Sequence, residues 1–334
     1  MTQQIALEQT AKPHRVWLTY LDGWRGFSVL AVLAAHFFPI PIINTGRLGV
    51  ETFFCLSGRL MAGILFVERY PLDQFIYRRL TRVWPALYAF VLLVALACWQ
   101  PGPLQVTSID VLGALTFTAN YTGIYLHRSP AFDHLWSLAV EEWAYLLLAL
   151  LALGCRRFGW WPIPILLTCA LLCIANGVAQ TMAGLDYYAV YWRTDVRLAS
   201  ILLPCAFFLM LQRKKIPSWL PVFAAIGGIA LNINRVPDPI KYSVGTACLA
   251  FAMVTIDVSP AQIRTLLSMR WVRQAGLWSF SLYLWQQPFA KAAGLPVINL
   301  AMAFACALIS FYFIENPARR FLNHLPARIK SAKK

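Results

Sequence analysis

The sequence predicts an all-α, polytopic membrane helix bundle of about ten transmembrane helices with both termini cytoplasmic. Three observations carry that prediction. Of 334 residues, 59% are hydrophobic and 13% charged, where a water-soluble domain carries about 25% charged residues. Ten apolar runs follow one another, at 20–39, 49–67, 83–99, 135–155, 159–176, 195–212, 217–233, 241–257, 274–291 and 297–316, each close to the roughly 20 residues a helix needs to cross a bilayer. With the N-terminus inside, the inner segments hold twenty of the 29 Lys and Arg and the outer segments six, which is the positive-inside asymmetry. The net charge of +15 therefore belongs to membrane topology and the lipid bilayer, and no nucleic-acid partner is expected.

The remaining stretches follow from the same pattern. The first run is too long for a signal-peptide core and lacks a small-residue cleavage site, so it reads as an uncleaved first helix. Residues 111–126 are apolar but short, with Gly, Thr and Asn among them. A crossing there would turn the later basic clusters outward, so the stretch reads as a re-entrant or surface-lying outer element. The eight cysteines lie within or at the ends of apolar runs without ligand or disulfide spacing, and read as small packing residues. The chain thus divides into a cytoplasmic segment at 1–19, a transmembrane domain at 20–317 and a basic cytoplasmic tail at 318–334, in a bacterial inner membrane.

Ionisable residues inside membrane helices are costly and mark functional sites. In LDGWRGFSVLAVLAAHFFP (Leu21 to Pro39), Arg25 and His36 are eleven residues apart. That is three helical turns plus about 20°, one shared face and about 16.5 Å of axial rise. Arg25 alone reads equally well as a basic residue snorkelling at an inner helix end, whereas His36 needs hydrogen-bond partners in an apolar setting. In HLWSLAVEEWAYLL, Glu141 and Glu142 are adjacent, so they point about 100° apart and do not both face one ligand directly. Pairing with Arg59 or Arg197 is their structural reading. FIYRRLTRVWP places Arg78, Arg79 and Arg82 just before the third span, either as an inner anchor or as a phosphate clamp, since Arg79 and Arg82 share a face. Asp195 and Arg197, two apart, do not face each other on a helix. His127 and His134 flank Asp133 without metal-ligand spacing, so no metal site is expected.

Together these motifs resemble the acyltransferase-3 family of membrane acyltransferases, which includes O-antigen and Nod-factor O-acetyltransferases. The matching pieces, in order over about residues 20–322, are LDGWRG…AAH, GVETFFCLSGRLM, FIYRRLTRVWP, HLWSLAVEEWAYLL, SFSLYLWQQPF and IENPARRFL. The resemblance implies ten spans and transfer of an acyl group, usually acetyl from acetyl-CoA, to a hydroxyl of a glycan or similar acceptor, with no permanently bound cofactor. It makes Arg25 and His36 the catalytic pair and Arg79 and Arg82 the family's R-x-x-R motif. Many relatives carry a fused extracytoplasmic hydrolase-like domain, for which a chain ending at 334 has no room. Arg59 stands where Phe is usual, Gln286 or Gln287 replaces a common His, Ala199 replaces an Asp, and Pro204 stands where Gly is common.

Acyl transfer from a thioester to an alcohol needs a base and stabilisation of the developing oxyanion. The expected arrangement gives the CoA phosphates and arm to Arg78, Arg79, Arg82 and Arg25. His36 then deprotonates the acceptor or carries the acyl group itself, and Glu142 or Glu141 orients the histidine or holds the acceptor. Ser137, Trp136, Asn120 and Arg197 are the candidate acceptor contacts. The alternatives are a transporter or flippase of a lipid-linked or small polar substrate, for which no inverted repeat or matched broken helices are visible, and acylation of a small molecule such as a macrolide.

Overall fold

A computed structural model describes residues 18–332, with side chains to residue 324; most of the expected segment 1–19 and the last two residues lie outside it. Each of the ten apolar runs falls on a helix. The first is α1 (Thr19–Phe37). Next comes α2 (Thr45–Met61), capped by the Asn44 side chain and running on through a π-turn to Val67. The α3 helix (Leu72–Ala97) starts well before the predicted third span. Pro71 precedes it and Asp73 stands in its first turn, an acidic residue where the helix dipole favours one. The Arg78–Arg82 cluster is therefore inside a helix rather than in front of one.

The 111–126 stretch forms two short helices, α4 (Ser108–Leu115) and α5 (Ala119–Tyr125). Phe117, with φ 56°, breaks the chain between them, and neither is long enough to cross a bilayer. Beyond them lie α6 (Leu135–Phe158) and α7 (Pro162–Met182), the short α8 (Tyr187–Tyr191), and α9 (Thr194–Leu211). The last third comprises α10 (Leu220–Ala230), α11 (Thr246–Val254), α12 (Ala261–Leu267), α13 (Arg270–Lys291), α14 (Pro296–Ile309) and α15 (Asn316–Ala332). Among the described residues there is no strand, only a single bridge between Ile43 and Ile233.

Among the described residues, six helices are long and apolar enough to cross a membrane: Thr45–Val67, Leu72–Ala97, Leu135–Phe158, Pro162–Met182, Thr194–Leu211 and Pro296–His324. The sequence-based count of ten weighed every apolar run alike. The other four runs fall short of that length or hydropathy for two reasons. The α10 helix is only 11 residues long, and α11 is 9 residues that continue a π-turn at Lys241–Gly245. Polar side chains interrupt α1 and α13, among them Arg25 and Ser28 on the first and Ser279, Ser281, Gln286 and Gln287 on the second.

Those two polar helices pack against each other backbone to backbone. A Cβ added to Gly276 would lie 1.9 Å from the Asp22 carbonyl oxygen, and one added to Gly26 would lie 2.0 Å from that of Val272. Backbone meets backbone, the arrangement small residues permit between membrane helices. On its other side α1 meets α2, where the Ser28 hydroxyl bonds the Thr52 hydroxyl at 2.8 Å and the Trp24 indole donates to the Thr52 carbonyl at 2.9 Å. Ion pairs tie the surrounding helices, one buried and one with its carboxylate exposed. Arg197 of α9 pairs with Glu51 of α2, and Arg59 donates to both oxygens of Asp257 at 2.8 and 2.6 Å. The structural pairing suggested for Glu141 and Glu142 with these two arginines is thus replaced by other partners.

Gly276→Val should force α1 and α13 apart, because the added atoms have no space to enter and overpacking costs about 1–3 kcal/mol even in adaptable cores. Thermal unfolding of the detergent-purified chain should show a clear drop. Gly102→Ala, at a position with nothing within 4 Å of a new Cβ, should leave the midpoint unchanged.

Candidate active site

Three abutting cavities run along α1, α3, α6 and α13. The first opens beside the basic cluster and is lined by Tyr70, Phe75, Arg78, Arg79 and Arg82. Arg78 is exposed, with its guanidinium 5.3 Å from the centre of the Tyr70 ring. The second, of about 800 Å³, shares Met61, Arg79 and Arg82 with the first and adds Arg25, Ser137 and Glu141. The third, of about 750 Å³, shares Val50 and Tyr283 with the second. His36, Arg47, Arg128, His134 and Trp136 line it. Arg25 and His36 thus face successive cavities along one helix, as their shared face predicts.

Arg79 departs from its expected part. Its Nε donates to Glu142 Oε1 at 2.9 Å, its Nη2 lies 3.6 Å from Glu141 Oε2, and its guanidinium sits 3.7 Å over the Tyr145 ring. One arginine therefore engages both adjacent carboxylates. The 100° between neighbouring helical residues keeps two side chains from one compact ligand, but a guanidinium fork reaching between them spans the gap. Glu141 is held further by the hydroxyls of Ser57 and Tyr145, and Tyr145 also donates to Ser57 at 2.9 Å. Arg79 is committed to this network. Among the described residues, Arg25 and Arg82 close no salt bridge within 4.0 Å.

His36 is held by α13, not by a carboxylate. Its Nδ1 lies 2.5 Å from Gln286 Oε1. Gln286 Nε2 in turn donates to the Tyr283 carbonyl at 3.4 Å and to Gln287 Oε1 at 3.3 Å. Gln287 Nε2 donates to the Pro130 carbonyl at 3.2 Å. Both glutamines are buried. The expectation that Glu141 or Glu142 orients the histidine fails on geometry. Glu141 stands seven residues past His134, about 10 Å further along α6, level with Arg25 rather than with His36. Nothing in the sequence ranked Gln286 above Gln287 for this contact.

The other candidates divide. Ser137 lines the middle cavity, with its hydroxyl 2.6 Å from that of Tyr283. Trp136 lines the His36 cavity and lies edge-on to Phe54. Asn120 is fully buried and donates to the Trp192 carbonyl and Thr194 hydroxyl, at 3.1 and 2.9 Å, fastening α5 to the start of α9. Arg197 is bound to Glu51. Neither Asn120 nor Arg197 reaches the three cavities. Asp195 pairs with Arg193 rather than Arg197, because Arg193 precedes the helix in an extended conformation. Near His36, the side-chain hydrogen bonds that Arg128 donates to Asp133 raise the pKa of the guanidinium above its ordinary value. Sequence reasoning missed Ser57, Tyr145 and Tyr283. Each lies within a quoted motif, as a hydroxyl in an apolar run, and that was the available signal.

Fold and site together define an integral membrane protein with a polar, arginine-lined passage inside its helix bundle. The chain belongs to the acyltransferase-3 family, whose model, described as an acyltransferase domain, matches residues 18–315. Among curated proteins it is similar to peptidoglycan O-acetyltransferase OatA of Listeria monocytogenes serovar 1/2a (strain EGD-e), at 27% identity over 95% of this chain and 58% of that protein. It also resembles O-acetyltransferase OatA of Staphylococcus aureus (strain NCTC 8325 / PS 47), at 30% over 94% and 59%. A third relative is the putative peptidoglycan O-acetyltransferase YrhL of Bacillus subtilis (strain 168), at 27% over 92% and 55%. The chain therefore spans 55–59% of the length of these relatives. No solved structure matches it.

Arg79→Ala should leave two largely buried carboxylates without their cation and destabilise the chain by about 3 kcal/mol, as loss of one partner of a buried pair does. Adding Glu142→Gln should restore part of the loss, a coupling readable from unfolding midpoints of the four-variant cycle.

Proposed function

We propose that this chain is a membrane O-acyltransferase that moves an acetyl group from acetyl-CoA at the basic end of the bundle to a hydroxyl of a cell-envelope glycan at the His36 end. Peptidoglycan is the acceptor named for two of the relatives and is the acceptor class proposed here. The reading includes ten crossings at 20–317, counting the shorter and more polar helices, with both termini cytoplasmic.

The observation that carries it is the series of cavities from Arg78 and Arg82, past Arg25, to His36. Arg78, Arg82 and Arg25 suit the phosphates of CoA, while Arg79 braces Glu141 and Glu142. The pantetheine arm follows the α1 face between Ser137 and Val50, a length of about 16.5 Å from Arg25 to His36 along the helix. At the far end a ring nitrogen of His36 takes the proton of the acceptor hydroxyl as the oxygen bonds to the thioester carbonyl carbon. The C–S bond then breaks, and the imidazolium returns the proton to the departing CoA sulfur. Trp136 and the tyrosines Tyr187, Tyr188 and Tyr191 in the same cavity offer flat apolar faces with polar tips to a sugar ring.

His36→Ala should lower O-acetylation roughly 10²–10⁴-fold, the usual worth of a positioned acid–base group, with normal expression. Arg82→Ala and Arg25→Ala should instead raise the KM for acetyl-CoA. The checks are mass spectrometry of envelope glycan from cells carrying each variant and release of free CoA by purified protein in lipid vesicles. Undiminished acetylation in His36→Ala cells would overturn the assignment.

A further inference from the structure

The hydrogen bonds behind His36 have only one consistent direction. The Pro130 carbonyl can only accept, so the nitrogen of the Gln287 amide must face it. That turns Gln287 Oε1 toward Gln286, where it accepts from the Gln286 nitrogen. The Tyr283 carbonyl, a second obligate acceptor, holds the same nitrogen. Gln286 Oε1 is then the atom left facing His36 Nδ1 at 2.5 Å, and an amide oxygen has no proton to give. The proton between them belongs to the imidazole.

We infer that Gln286 and Gln287 are positioning residues that fix His36 as its Nδ1–H tautomer, leaving Nε2 unprotonated as the nitrogen available to the acceptor hydroxyl. The inference rests on the proposed role of His36 for its catalytic meaning, but not for the tautomer itself. A neutral imidazole has one donor and one acceptor nitrogen, and the partner of one decides the other. A base must present the acceptor. The relay supplies this direction with neutral groups alone, so it orients the ring without a buried negative charge beside it. Burial of both amides, at 0 and 2% exposure, keeps water from offering Nδ1 an alternative partner.

The position is one of the places where the sequence departs from the family pattern it resembles, Gln286 or Gln287 standing for the common His after Leu284–Trp285. The departure changes what the residue can do. A histidine there could switch between donor and acceptor by changing tautomer, whereas a glutamine anchored at its nitrogen cannot.

The test is ¹⁵N NMR of the full chain, labelled at histidine, in lipid nanodiscs, with the His36 signals assigned by difference against His36→Ala. The wild type should show His36 protonated at Nδ1. Gln286→Leu should move the population toward Nε2–H and lower kcat about 10–100-fold with little change in KM. Gln286→Glu, which keeps an acceptor at the same place, should retain the Nδ1–H signal and most of the turnover. Gln287→Leu, which does not touch His36, frees the Gln286 amide to turn and should give a mixture of tautomers. A wild-type His36 protonated at Nε2, or a tautomer ratio unmoved by Gln286→Leu and Gln287→Leu in folded protein, would overturn the inference. A tautomer shift with unchanged turnover would uphold the relay and overturn His36 as the base.

Discussion

The backbone contact between α1 and α13 at Gly26 and Gly276 is the constraint on which the rest of the site depends. Lipid supplies no hydrophobic drive for two helices to associate, so close packing and interhelical hydrogen bonds must do it. The two glycines bring the carbonyls of Asp22 and Val272 to within about 2 Å of where a Cβ would stand. This fixes the register of two parallel helices. Ten residues on from Gly26 is His36, and ten residues on from Gly276 is Gln286, and these two meet at 2.5 Å. A shift of one residue along either helix would rotate its side chain by 100° and part them. Arg25, next to the crossing, marks the other end of the same rigid pair.

The charges of the site are arranged so that none is left alone in an apolar place. Glu141 and Glu142 share Arg79, and the aromatic face of Tyr145 covers the guanidinium. Glu51 and Arg197, both almost fully buried, pair with each other. Such pairs add little net stability over apolar packing, yet losing one partner is severe. They behave as fasteners between helices. Of the three arginines that line the middle cavity, Arg79 is committed to Glu141 and Glu142, while Arg25 and Arg82 close no salt bridge among the described residues.

What could be read from the sequence follows from what sequence periodicity encodes. Apolar length located the helices that carry the ten apolar runs, and the eleven-residue spacing put Arg25 and His36 on one face, because both are properties of a single helix. The ordered motifs supplied the family. Contacts between helices were not legible. Arg79 was read as an inner anchor or a phosphate clamp, and the structure sets it between two carboxylates. Glu141 or Glu142 was expected to orient His36 or hold the acceptor, and the bond to His36 comes from Gln286. Neither contact was legible because which helix lies beside which, and at what height, is not set by either helix alone. The α1 and α13 helices can be polar because they bury that polarity against their neighbours, His36 against Gln286, Ser28 against Thr52 and Ser281 against Glu315.

The middle of the passage differs from both ends in a way that suits a thioester arm. Around Arg78 and Arg82 the walls are cationic, and around His36 they are aromatic and mixed in charge. Between them the polar lining includes the hydroxyls of Ser137 and Tyr283, bonded to each other. A hydroxyl both donates and accepts, so such a pair satisfies itself when the passage is empty and can turn to an amide of the arm when it is filled. Neither state strands a buried polar group, which would cost about 1–3 kcal/mol each. Free carboxylates or lysines along the same stretch would have to lose either a partner or their water whenever the arm moved. In the proposed reaction, then, fixed charge holds the nucleotide at the mouth, exchangeable hydroxyls let the arm slide, and a fixed tautomer meets it at the end.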